Sequence, residues 1–190
     1  MIRRTDASPL LAGVLALALA AAGCGGGSSS DILSPRGVGV SLQPLETVGL
    51  PAVALELAAV SGSELALELS GSGLEGAAGV VFELRYDPAL LEFTGVGPGT
   101  FFGDGSRIGA EVTETEPGVL VGVAAGSDPG EGRNGSGALL TLGFRLRQLR
   151  DAETTLVFGA EESAVYGTET IQGQHAFIGA RLVTRIRTTP

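Results

Sequence analysis

From Pro51 onward, apolar side chains recur at every second residue, and clusters of Gly, Pro, Ser and Asp break the pattern at short intervals. Period two puts alternate side chains on opposite faces of an extended chain, so each such segment reads as a half-buried strand. Val53, Leu55 and Leu57 form one such face, and Leu65, Leu67 and Leu69 the next. Val80, Phe82, Leu84 and Tyr86 follow, with Val81, Glu83 and Arg85 on the opposite side. Later faces are Val119, Val121 and Val123; Leu140, Leu142, Phe144 and Leu146; Leu156 and Phe158; and Ile178, Ala180 and Leu182. Ser61-Gly62, Gly71-Ser72-Gly73, Gly97-Pro98-Gly99, Gly103-Asp104-Gly105 and the stretch from Gly126 to Gly137 supply the turns. No window holds a helical period beyond a single turn at Pro88 to Leu91. About nine short strands without helices make an all-β sandwich. Its core is expected to centre on Phe82, Leu84, Leu142 and Phe144.

Charge and residue types narrow the chemistry. The chain carries 12 basic residues, all Arg, against 21 acidic ones, for a net charge of −9. That balance disfavours a nucleic acid partner. One Cys and one His leave no material for a His/Cys metal cage or a Cys–His nucleophile pair. His175 is placed in the turn before the last strand, and no Ser lies in a nucleophile elbow. Glu114/Glu116 and Glu161/Glu162 read as solvated loop acids, not as a held catalytic pair. Calcium is conceivable at Asp104, or in the loop with Asp128, Glu131 and Asn134, but neither has EF-hand spacing. The expectation is therefore a non-enzyme without a cofactor or resident metal. Asn134-Gly135-Ser136 also fits a glycosylation sequon.

The N-terminus has the parts of a secretory signal. Arg3 and Arg4 precede an uncharged apolar run from Leu10 to Ala22, shorter than the about 20 residues that span a bilayer. The run ends in Ala21-Ala22-Gly23-Cys24, which resembles the lipobox of bacterial lipoproteins, with Ala21 where Leu is more usual. That resemblance implies a signal peptide over 1–23 and a lipid attached to Cys24. Gly25, rather than an Asp, follows the cysteine and favours an outer-membrane or cell-surface location. Gly25-Gly26-Gly27-Ser28-Ser29-Ser30 opens a flexible tether expected to reach residue 50, with the folded domain over 51–188. An acidic body is repelled by anionic headgroups, so the lipid alone would anchor it.

Within the domain, Gly76 to Phe93 contains alternating apolar residues leading into Tyr86-Asp87-Pro88 and then Leu90-Leu91. Together with Gly95-Val96-Gly97-Pro98-Gly99 and Gly137 to Phe144, this resembles cohesin domains, whose sandwich is shared with carbohydrate-binding modules. The resemblance covers about Ala52 to Arg187 and implies a single jelly-roll sandwich of about nine strands. Asp87 before Pro88 ends the strand and can accept backbone N–H groups in the turn, while Tyr86 continues the inward face. The resemblance also implies a dockerin-like or other secreted protein partner in polysaccharide degradation. The face that would dock it carries Val81, Glu83, Glu111, Thr113, Leu120, Gly122 and Ala124. Gly79 and Val81 stand where many cohesins place an Asn and an Asp as polar contacts. Two alternatives stay open: a carbohydrate-binding module, with Phe101 or Phe102 as a sugar-stacking ring, and a structural surface lipoprotein domain.

Overall fold

The computed structural model describes residues 32–33, 38–49, 51–113, 116–128, 130–167 and 175–186. Cys24, the segment 1–23 and Glu114 lie outside them. Twelve strands and no helix occur among the described residues. They are β1 (Ile32–Leu33), β2 (Val38–Pro44), β3 (Ala52–Ser61), β4 (Glu64–Arg85), β5 (Leu91–Pro98) and β6 (Arg107–Val112), followed by β7 (Val119–Ala125), β8 (Arg133–Leu146), β9 (Ala152–Phe158), β10 (Ala164–Gly167), β11 (Ala176–Ile178) and β12 (Ala180–Ile186). The excess over about nine comes from the short β1, β10 and β11. The all-β sandwich is as the alternation predicts.

One long strand organises both layers. The first half of β4 pairs with β3 on one side and β8 on the other, and β5 continues beyond β8. Its second half pairs with β7 and β10, and β6 continues beyond β7. The end of β4 also meets β9, which leads through β12 and β2 to β1. The Gly71-Ser72-Gly73 cluster is thus no chain reversal, which corrects the expectation of a turn there. The register of β4 on β8 shifts between Leu69 and Ala77, where Gly73 and Gly76 take φ of 63° and 58°. Only glycine adopts that left-handed backbone cheaply, so the cluster bends a continuous strand from one layer to the other.

Phe82, Leu84, Leu142 and Phe144 are all fully buried, as expected. Phe144 takes Tyr86 and Phe93 edge-on at 5.2 and 5.7 Å, and Phe82 meets Phe158 at 6.3 Å. These are the offset geometries that aromatic quadrupoles favour. Burial pushes the Tyr86 phenol up from its ordinary range, and a hydrogen bond with the Phe93 backbone partly opposes this. After Tyr86 the Asp87 carboxylate accepts the Ala89 N–H at 2.8 Å, closing the expected turn.

The tether does not reach residue 50. Val38, Val40 and Leu42 are buried core residues, and β2 pairs with β12 over its full length, from Val38↔Ile186 to Pro44↔Ala180. The folded unit therefore begins before residue 51. The segment does alternate, but it is short, lies among Gly and Pro, and gains its stability from a partner at the far end of the chain.

Candidate functional site

The outer face of the layer formed by β10, β4, β7 and β6 can be read row by row from the pairing register. Across one row lie Tyr166, Gly79, Ala125 and Arg107; across the next, Ala164, Val81, Val123 and Gly109. A third row holds Glu83, Val121 and Glu111. Val81 and Val121 are each 37% exposed and Val123 36%, high for large aliphatic side chains in the middle of a sheet. Together with Gly109, Glu111 and Glu162 they line a shallow depression of about 510 Å³.

This arrangement corrects the expected face at three positions. Val81, Glu83 and Glu111 point outward, but Leu120 and Ala124 are fully buried. Gly122 sits opposite Phe82, and a Cβ there would overlap the Phe82 ring. Leu120, Gly122 and Ala124 therefore face the core, while Val121 and Val123 face outward. In Val119 to Ala125 both alternate sets are apolar, so periodicity alone cannot choose between them, and a one-residue error inverts the whole strand. The choice is made by Phe82, whose bulk requires the residue opposite to lack a side chain. Thr113 is half-buried: its hydroxyl donates to the Glu116 carbonyl at 3.0 Å and its N–H to the Val119 carbonyl at 2.9 Å. It belongs to the β6–β7 turn.

The sugar-stacking expectation is also corrected. Phe101 and Phe102 are both buried and stack edge-on at 5.0 Å. Their segment is a turn, not an extended strand, pinned by Phe101 N–H to the Ala138 carbonyl at 2.8 Å. In a turn, adjacent side chains need not point to opposite sides, so both rings join the core. Arg133 donates to the Phe101 carbonyl at 3.3 Å.

Polar groups on the face are few and ordered. Arg85 Nε donates to Glu83 Oε1 at 2.7 Å, and the Glu83 N–H donates to Ser163 Oγ at 3.2 Å. The Glu83 carboxylate holds the Arg85 guanidinium above its already high range. No three His, Cys, Asp or Glu side chains converge as metal ligands among the described residues. Asp128, a calcium candidate, accepts the Gly130 N–H at 2.8 Å in its own turn. Asn134 and Ser136 accept the Gly76 and Gly73 N–H groups and brace the bend of β4. His175 directly precedes β11.

The sequence reading missed Val121, Val123, Glu162 and Tyr166. Tyr166 lies across Gly79, where any Cβ would overlap its ring. The one cue was Gly79 itself, a side-chain-free position at the head of the filled run Val80 to Arg85, which marks a close approach from outside.

No family model and no curated protein matches this chain. Solved structures do. A non-cellulosomal cohesin from Archaeoglobus fulgidus aligns with TM-score 0.55 and 19% identity, over 70% of this chain and 89% of that one. The second type II cohesin module of the ScaA scaffoldin of Acetivibrio cellulolyticus gives TM-score 0.58 at 14% identity, over 76% and 93%. A type II cohesin–X-dockerin complex from Acetivibrio cellulolyticus gives TM-score 0.56 at 13% identity, over 67% and 95%. The buried Tyr86, the exposed Asp87-Pro88 turn after it and the long strand β4 thus sit in a domain that is cohesin-like in fold.

Proposed function

We propose that the chain is a non-catalytic docking module, held outside the cytoplasm by a lipid on Cys24, whose outer valine face receives a dockerin-like or other secreted protein. The observation that carries this reading is the central patch of Val81, Val121 and Val123, solvent-exposed in a layer of β4, β6, β7 and β10 whose other large aliphatic side chains are buried or half-buried. An apolar centre with charged residues at its edge is the composition of a protein interface. The cohesin–dockerin complex of Acetivibrio cellulolyticus supports a protein occupant, and a setting in polysaccharide degradation is part of the same proposal, supported by the likeness to a type II cohesin from the cellulosome of Acetivibrio cellulolyticus. The carbohydrate-binding alternative loses both of its candidate rings, Phe101 and Phe102, to the interior.

The test is a pull-down from the secretome of the source organism with wild type, Val81→Asp and Val121→Asp. Both variants should lose the captured protein, with binding weakened by about 2 kcal/mol or more, roughly thirtyfold. Their urea midpoints should stay near wild type, since outward positions tolerate a charge. Capture that survives in both variants overturns the docking face.

A further inference from the structure

The two ends of the valine patch differ in sign. At one end stand the exposed carboxylates Glu111 and Glu162, on opposite flanks of the sheet. Glu83, between them, is ion-paired with Arg85, whose charge also reaches Glu162 and leaves this end net acidic. At the other end the sheet surface carries the exposed Arg107 and the Tyr166 ring, with no carboxylate in that row. From Gly79 to Glu83 the strand advances four residues, about 14 Å. Charges that far apart at partly desolvated positions are sensed separately by a docked chain, and like charges set against them are costly.

We infer that the partner segment is charge-split, with an aliphatic centre, a basic end seated against Glu111 and Glu162 and an acidic end against Arg107, so that it docks in one orientation. This rests on the docking reading above and adds the chemistry of the occupant. A second copy of this chain, turned end for end, would also set Arg107 against Glu111 and Glu162, but it offers one cation for two carboxylates and brings a net charge of −9. A dibasic or diacidic segment leaves one end facing its own sign. Tyr166 fixes the width available at the Arg107 end, since its ring occupies the space above Gly79.

The probe is a displayed library of single helices with a fixed aliphatic stripe and randomised residues in two turns about nine residues apart, matching about 14 Å at 1.5 Å per residue. It is panned on the full chain, on Val121→Asp, on Arg107→Glu, and on the double variant Glu111→Arg/Glu162→Arg. All substituted positions are exposed. Wild type should enrich Val121-dependent helices with one basic and one acidic end by about tenfold over the starting pool. Arg107→Glu should shift the selection to dibasic helices, and the double variant to diacidic ones. Val121-dependent binders with the same charge pattern on wild type and variants overturn this inference and leave the docking face standing. No Val121-dependent binder at all overturns the docking reading, and this inference with it.

Discussion

The orientation of β7 decides which side chains a partner can reach, and one pair of substitutions measures it. Leu120 is fully buried, while its neighbour Val121 is 37% exposed. Leu120→Ala removes three carbon atoms from the core. At about 0.8 kcal/mol per methylene the transfer part is about 2.5 kcal/mol. Incomplete relaxation around the remaining cavity adds about 1 kcal/mol. Phe82 and Leu84 hold the neighbouring register positions on β4 and are themselves fully buried, so the site has little freedom to collapse. The expected loss is about 3–4 kcal/mol, a large share of a single domain's stability. Val121→Ala trims a side chain that is already partly in water and should cost under about 1 kcal/mol. With a urea slope of about 2 kcal/mol/M for a domain of this size, the Leu120 midpoint falls by about 1.5–2 M and the Val121 midpoint by less than about 0.5 M. Urea unfolding followed by far-UV circular dichroism gives both. Equal losses, or a larger loss at Val121, would refute the assigned faces and return the outer surface to Leu120 and Ala124.

Gly122→Ala should cost about 1–3 kcal/mol because its Cβ overlaps the Phe82 ring; combining it with Phe82→Leu should recover part of that loss, and strict additivity in a thermal melt would argue against the clash. Partial burial raises the Glu56 carboxyl, with Glu68 opposite it adding to the effect. A carboxyl raised in the folded state favours folding below its unfolded value of 4.5, and that contribution is lost as pH rises through the folded value. Glu56→Gln should therefore gain a few tenths of a kcal/mol at pH 7, modest because solvent screens the pair, and the gain should vanish when urea melts are repeated below pH 4. Cys24→Ser should move the protein from the membrane fraction to the soluble extracytoplasmic one, and a variant that stays membrane-bound, or a wild type without an acyl mass, would remove the lipoprotein reading.

The parts of the fold legible in the sequence are those where one alternating set is large and the other polar. Phe82 and Leu84 against Glu83 and Arg85 leave no doubt about which side is buried. The same holds for Phe144 and Leu146 against Arg145 and Arg147. Asp87-Pro88 likewise announced its turn, because proline restricts the residue before it. The misreadings share a different feature. In β7 both sets are apolar, and the deciding information sits some forty residues away in Phe82, a partner known only once β4 and β7 are paired. β2 was missed for a similar reason, since its ladder lies on β12 at the opposite end of the chain. Phe101 and Phe102, the candidate stacking rings, are held in a turn by the Ala138 carbonyl and are buried. Local pattern specifies which residues are apolar, and nonlocal pairing specifies which of them are covered.

The same pairing of a ring with a glycine acts on both sides of the β4–β7 ladder. Inside, Phe82 fills the space over Gly122; outside, Tyr166 fills the space over Gly79. Each pair levels its side of the sheet, so the exposed patch has valine relief and no deep pocket. A flat patch binds through area and charge. Four strands span about 14 Å between outer axes at about 4.8 Å each, and the three rows cover about another 14 Å along the strands. That is about 200 Å² in projection, room for one helix about 10 Å wide. A stable interface covers about 800 Å² per partner, so the valines can centre the contact but cannot complete it. A partner of the proposed kind would have to extend past the patch. On one side Val157, 43% exposed and paired with Arg85, sets a further exposed aliphatic side chain on β9, beyond the Glu83–Arg85 pair. A second helix laid there would double the contact and place its weight beside the Glu83–Arg85 pair. Val157→Asp should accordingly weaken a natural two-helix partner while leaving a selected single helix unaffected, and no loss in either would confine the interface to β4, β6, β7 and β10.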